Sequence, residues 1–136
     1  MSPSTTPLPE ADRLEILDLY GRYGISIDEG DAETWVACFT ADGRMTVGDQ
    51  FDFDGREQLA EFAVGHHASP QGAMRHHFTT IAVTGTGGGA AGRAYALMTM
   101  GGQVMACMSY VDELVKDGGA WRFSKRTVTP DAAPGQ

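Results

Sequence analysis

The chain has 136 residues, 42% of them apolar, and its ten basic and eighteen acidic side chains give a formal charge of -8. That length suits one domain with one core, and the apolar fraction excludes a disordered chain. The shortage of Lys and Arg argues against a nucleic-acid backbone as partner. No apolar run approaches the roughly 20 residues needed to span a bilayer.

Residues 1–10 and 129–136 read as flexible tails around a domain at 11–128. The first nine residues have neither a basic region nor an apolar core, so no signal peptide is expected. Cys38 and Cys107 lie in apolar stretches and read as buried free thiols, as in a cytoplasmic protein.

The spacing of Leu14, Leu17, Tyr20, Gly24 and Ile27 predicts a first helix over 11–27 with these residues inward. Gly30 stops it, and Asp31 caps a second helix that turns Trp35, Val36 and Phe39 inward. A turn at 41–43 leads to a strand at 44–47, with 50–53 as its hairpin partner. A third helix follows at 56–64 with Leu59, Phe62 and Ala63 inside, then a loop at 66–72. Four strands at 74–83, 90–100, 103–115 and 120–128 are separated by glycine-rich turns. Short connections make antiparallel neighbours. The expected fold is therefore α+β in the order α-α-β-β-α-β-β-β-β, with helices closing one face of a curved, mostly antiparallel sheet over a pocket.

Four residues are candidates for proton chemistry. Asp28 follows Leu17, Gly21 and Gly24 on one helical face, so it caps an inward stripe in which the glycines leave space. It stands at a helix C-terminus, where the macrodipole disfavours negative charge. His76 and His77 adjoin on the first long strand, and alternation lets only one face the pocket. His76 shares a face with Phe78, Thr80 and Ala82, and His77 with Thr79, Ile81 and Val83, so periodicity leaves the choice open. Tyr23 offers a hydroxyl on the first helix. Tyr20, Trp35, Phe39 and Phe62 are candidate pocket lining, with Met98, Met100 and Met108 from a methionine-dense run of strands. Arg75 and Arg93 read as solvated strand residues. Adjacent histidines at 66–67 and 76–77 lack the spacing of a metal site. No nucleophile elbow, phosphate loop or dinucleotide fingerprint is present.

The segments DRLEILDLYGRYGISIDEGD (12–31), FTADGR (39–44), GREQLAEF (55–62), MRHHFTTIAV (74–83) and ELVKDGGAWRFSKR (113–126) together resemble SnoaL-like domains. These belong to the cone-shaped superfamily of scytalone dehydratase, ketosteroid isomerase and nuclear transport factor two. The resemblance implies a deep pocket in which an aspartate after the first helix's inner stripe pairs with a histidine on the first long strand. Asp28 matches that aspartate. His76 matches the histidine best, since Thr79–Thr80 falls where the dehydratase branch often has Thr–Asn; His77 fits if the register slips by one.

Two features depart from scytalone dehydratase: no histidine follows His77, and Ile27 stands where a tyrosine is expected. The implied activity is a one-base proton shuttle on a hydrophobic polycyclic or aromatic metabolite. It would act as a dehydratase, isomerase or cyclase of the polyketide type in secondary metabolism, with no cofactor and no metal. The resemblance also implies a homodimer through the open sheet face. Members without catalysis exist, so a small-molecule binding or dimerisation module and the small subunit of a ring-hydroxylating oxygenase are the alternatives.

Overall fold

The computed structural model describes residues 6–132. Helix α1 spans Glu10–Glu29, α2 Ala32–Ala37 and α3 Arg56–Ala68; the strands are β1 Phe39–Val47, β2 Phe51–Asp54, β3 Arg75–Thr86, β4 Gly89–Met100, β5 Gln103–Asp117 and β6 Ala120–Pro130. They form one six-stranded sheet in the order β2-β1-β6-β5-β4-β3. Every neighbouring pair is antiparallel except β1 with β6. Element order and fold class agree with the sequence expectation, and no described helix is long and apolar enough to cross a membrane.

The turn from α1 to α2 is written in two residues. Gly30 takes φ 77°, a conformation glycine adopts without a Cβ penalty, and the Asp31 N–H donates to Ser26 O at 2.9 Å. Asp31 Oδ1 then accepts from the Thr34 N–H at 3.1 Å and opens α2. The chain reverses within one turn, which brings the end of α1 against α3. A Cβ on Gly30 would lie 2.6 Å from the ring of His67.

The inner face of α1 is rotated from the expected stripe. Leu14 is 67% and Leu17 37% exposed, while Ile16, Leu19, Tyr20, Tyr23 and Ile27 are buried. Gly21 is exposed and opens no space beside Asp28; Gly24 is buried, and a Cβ there would touch the Phe78 ring at 3.5 Å. The helix seats on both β3 and β6, so the buried arc is wider than one four-residue row and centres on Tyr20 and Tyr23.

Helix α3 runs one turn past the expected stop and is followed by a 3₁₀ turn at Pro70–Ala73. His66 and His67 are therefore helical rather than in a loop. Phe39 begins β1 rather than ending α2. The described parts of the expected tails are tied down: the Thr6 N–H donates to Gly85 O at 3.0 Å, Leu8 packs on the core, and the Asp131 N–H donates to Cys107 O at 2.9 Å. Residues 1–5 and 133–136 of those tails lie outside the described residues. Cys38 is buried and Cys107 half-buried, and both are free thiols.

Candidate active site

A cavity of about 510 Å³ lies between the inner face of the sheet and helices α1 and α3. Its walls are mostly apolar, with Ile27, Met45, Phe62, Met74, Met98 and Met108 among them; its polar side chains are Tyr23, His66, Ser69, His76 and Tyr110. That mixture, an apolar cavity with a few convergent polar groups, is the usual form of a small-molecule site.

Asp28 and His76 meet at the cavity wall. His76 Nδ1 is 2.6 Å from Asp28 Oδ1, and the His76 backbone N–H donates to Asp28 Oδ2 at 2.9 Å. Both carboxylate oxygens are thus taken by one residue, and the side chains are 7% (Asp28) and 10% (His76) exposed. A carboxylate on Nδ1 fixes the proton there and leaves the Nε2 lone pair free.

Strand register explains why His76 rather than His77 turns inward. His76 pairs with Met98 and Phe78 with Ala96, both buried. The register then shifts between Thr79 and Ala82, and Thr80 takes φ 52°. Beyond this bulge the inward residues are Val83 and Gly85, opposite Gly92 and Ala90. The extra residue switches parity. Ile81 and Val83 therefore do not place His77 inside; its Nε2 sits 2.8 Å from Thr99 Oγ1 on the exposed side.

A second imidazole reaches the cavity from α3. Phe62 and His66 are four residues apart on one face, and their rings lie 5.5 Å apart. The His66 ring is 6.1 Å from that of His76. His66 Nε2 is buried with no hydrogen-bond partner among the described residues, a state that costs about 1–3 kcal/mol while unmet. Burial, and then the neighbouring His76, hold His66 below the usual histidine range; Asp28 opposes them. Its neighbour His67 turns the other way, onto the Gly30 turn.

Tyr23 donates its hydroxyl to Met45 Sδ at 3.3 Å, a weak acceptor. Burial pushes the phenol up to about 12 against the opposing charge of Arg126, so it remains a donor at neutral pH. Burial likewise raises Tyr110.

Beneath this layer lies a second charged pair. Arg126 and Asp112 are both fully buried, with Nε to Oδ1 at 2.8 Å and Nη2 to Oδ2 at 2.9 Å. Tyr20 donates to Asp112 Oδ2 at 2.5 Å. Gly92 permits this contact, since a Cβ there would lie 2.3 Å from the Tyr20 oxygen. The guanidinium carbon lies 4.1–5.2 Å from the ring centres of Phe123, Tyr23, Tyr110, Tyr20 and Phe78. Burial works against the Arg126 charge, but Asp112 together with Tyr23 and Tyr20 outweighs it and holds the group above its ordinary range.

Of the residues expected from sequence, Asp28, His76, Tyr23, Phe62, Met98 and Met108 come together at the cavity or its wall. Four expected lining residues do not reach it. Tyr20 turns toward Asp112, Trp35 and Phe39 pack behind the wall against Tyr23, and Met100 ends β4 opposite Gln103. Sequence reasoning missed His66, Tyr110 and the Asp112–Arg126 pair. Extending the Leu59–Phe62 spacing to 66 would have found the first, and the alternation Tyr110, Asp112, Leu114 would have flagged an acid on an apolar face. Among the described residues no group of three or more His, Cys, Asp or Glu is arranged to hold a metal.

The comparisons with known proteins agree with this picture of the fold. A family model described as a SnoaL-like domain matches residues 10–127. No curated protein matches the sequence. Among solved structures, a cystatin-like-fold protein of unknown function from Nostoc punctiforme is 22% identical over 94% of this chain and 97% of that one, with TM-score 0.86. Rv3472 from Mycobacterium tuberculosis, also of unknown function, is 30% identical over 91% and 74% of the two chains, with TM-score 0.83. A protein of Novosphingobium aromaticivorans provisionally named a scytalone dehydratase is 20% identical over 90% and 85%, with TM-score 0.78.

Proposed function

The chain belongs to the SnoaL-like domain family, and on that footing we propose that it is an acid–base enzyme acting on a hydrophobic cyclic or aromatic metabolite. The observation that carries this reading is the 2.6 Å contact between His76 Nδ1 and Asp28 at the wall of an apolar cavity. His76 Nε2 removes a proton from a carbon next to a carbonyl, and the C–H electron pair moves into the enolate. Asp28 sets the tautomer and stabilises the imidazolium that forms. The Tyr23 hydroxyl leaves its weak Met45 acceptor for the enolate oxygen. Dehydration, double-bond migration and aldol-type ring closure all share this step, and none of them requires a cofactor.

Deuterium uptake from D₂O at the α-carbon of 1-tetralone, followed by NMR, tests the step. Uptake should be faster with protein than without. Asp28→Asn should slow it about 100-fold and His76→Ala should abolish it. Equal uptake with all three proteins would leave the non-catalytic binding module as the better reading. A patch of exposed apolar residues on the outer sheet face, Tyr95 46%, Leu97 36% and Val111 51% exposed, supports association of two copies through that face. Light scattering should give twice the mass of one chain, and Leu97→Glu should halve it.

A further inference from the structure

Helix α3 brings into the cavity a polar group that the Asp28–His76 mechanism does not use. His66 forms part of the wall, its Nε2 lacks a partner among the described residues, and no hydrogen bond joins it to His76 although the rings are 6.1 Å apart. The two rings line the same cavity with no side chain bridging them. A ligand seated with one carbon toward His76 therefore presents the oxygen on the neighbouring atom to His66.

The setting of His66 is fixed by its surroundings. Phe62 packs on it from the same helical face, and His67 anchors the opposite side of the helix on the Gly30 turn. A half-turn of the ring exchanges carbon and nitrogen without changing its shape, so a nitrogen can meet whichever edge the ligand presents.

We propose that His66 is a specificity-determining substrate contact, which hydrogen-bonds an oxygen substituent of the ligand beside the carbon that faces His76. This rests on the reading of the cavity as a substrate site and narrows the substrate class: an apolar ring system bearing a carbonyl or hydroxyl oxygen adjacent to the reacting carbon. Burial and the neighbouring His76 keep the imidazole neutral, so it acts as a hydrogen-bonding group rather than as a second charge.

Calorimetric titration with 1-tetralone and tetralin, bicyclic molecules that differ by one carbonyl oxygen, reads this contact. The wild-type protein should bind the ketone about five- to tenfold more tightly than the hydrocarbon. His66→Phe should erase that preference while leaving tetralin affinity within about twofold, and His66→Gln should restore part of it. Equal affinities in the wild type, binding of neither molecule, or a preference that survives in His66→Phe overturns the proposal. Should His66→Phe fail to fold, the ring nitrogen resonances of His66 in the ¹⁵N-histidine-labelled wild type decide. They must move with 1-tetralone and not with tetralin, and any other pattern overturns the contact. None of these readouts involves turnover. If the Asp28 and His76 variants leave deuterium uptake unchanged while ketone preference depends on His66, the proton-transfer reading falls and the contact stands. The converse result removes His66 alone.

Discussion

Two aspartates each hold a basic partner within one aromatic frame, and their surroundings give them different work. Asp112 and Arg126 are 0% exposed, doubly hydrogen-bonded, joined by Tyr20 and enclosed by five rings. Asp28 and His76 are 7% and 10% exposed and border an open cavity. Phe78 touches both pairs, stacking on His76 and lying 5.2 Å from the Arg126 guanidinium. Closure on every side makes the first pair a structural tie between α1, β5 and β6. One open side leaves the second pair a nitrogen that can meet a ligand. Burial of a charge pair is therefore not in itself a mark of chemistry; an accessible face is.

This contrast can be broken by stability measurements. Asp112→Ala leaves the Arg126 charge buried without its partner and should cost about 3–5 kcal/mol in urea unfolding. The double substitution Asp112→Leu, Arg126→Met should recover much of that loss. A loss below about 1 kcal/mol for the single variant would mean that water reaches Arg126. Asp28→Asn should cost no more than about 1.5 kcal/mol in the same assay, since an amide oxygen still accepts one hydrogen bond, while deuterium uptake falls about 100-fold. A stability loss as large as that of Asp112→Ala would place both pairs in the structural class.

The smallest effect sharpens the comparison through pH. His66 faces His76 and Asp28 across the cavity wall, with His67 adjoining, and its folded pKa lies below the ordinary value. The unfolded chain takes up that proton more readily. The stability gained by keeping His66 neutral is therefore complete above pH of about 6.5 and is lost as pH falls from there toward the depressed folded value. Melting temperature should drop more steeply between pH 7 and pH 5 in the wild type than in His66→Phe. Parallel slopes would mean that the His66 nitrogen is solvated in the folded protein.

The order of elements and the boundaries of the last strands were legible because glycine-rich turns and alternating apolar residues carry them directly, as at Gly101–Gly102 between β4 and β5; β1 begins at Phe39, and the expected turn at 41–43 lies inside it. Asp28 was legible through its position in the last turn of α1, and the family resemblance favoured His76. Three things were not. The arc of α1 that is buried depends on its seating across β3 and β6, which no single spacing rule contains. Arg126 was not singled out, because its partner lies fourteen positions away on another strand. His66 was lost when the helix was ended at Val64, one turn too early.

The bulge at Thr80 has a consequence for how this cavity could change over generations. Two histidines stand side by side on β3, and the outward one already has a hydroxyl partner in Thr99. His76 and Val83 differ in parity yet share the inner face, because Thr80 and Ile81 together stand opposite the single Ala94 and Thr80 holds φ 52°. Loss of a single codon there would leave one residue between Thr79 and Ala82, so both halves of β3 would keep their partners and His76 would stay opposite Met98. Gain or loss of one residue between His76 and Thr79 is different, since it would carry the pair of histidines across the sheet unless a new bulge absorbed it. The surplus residue thus marks a place where the strand tolerates a change of length without changing its base.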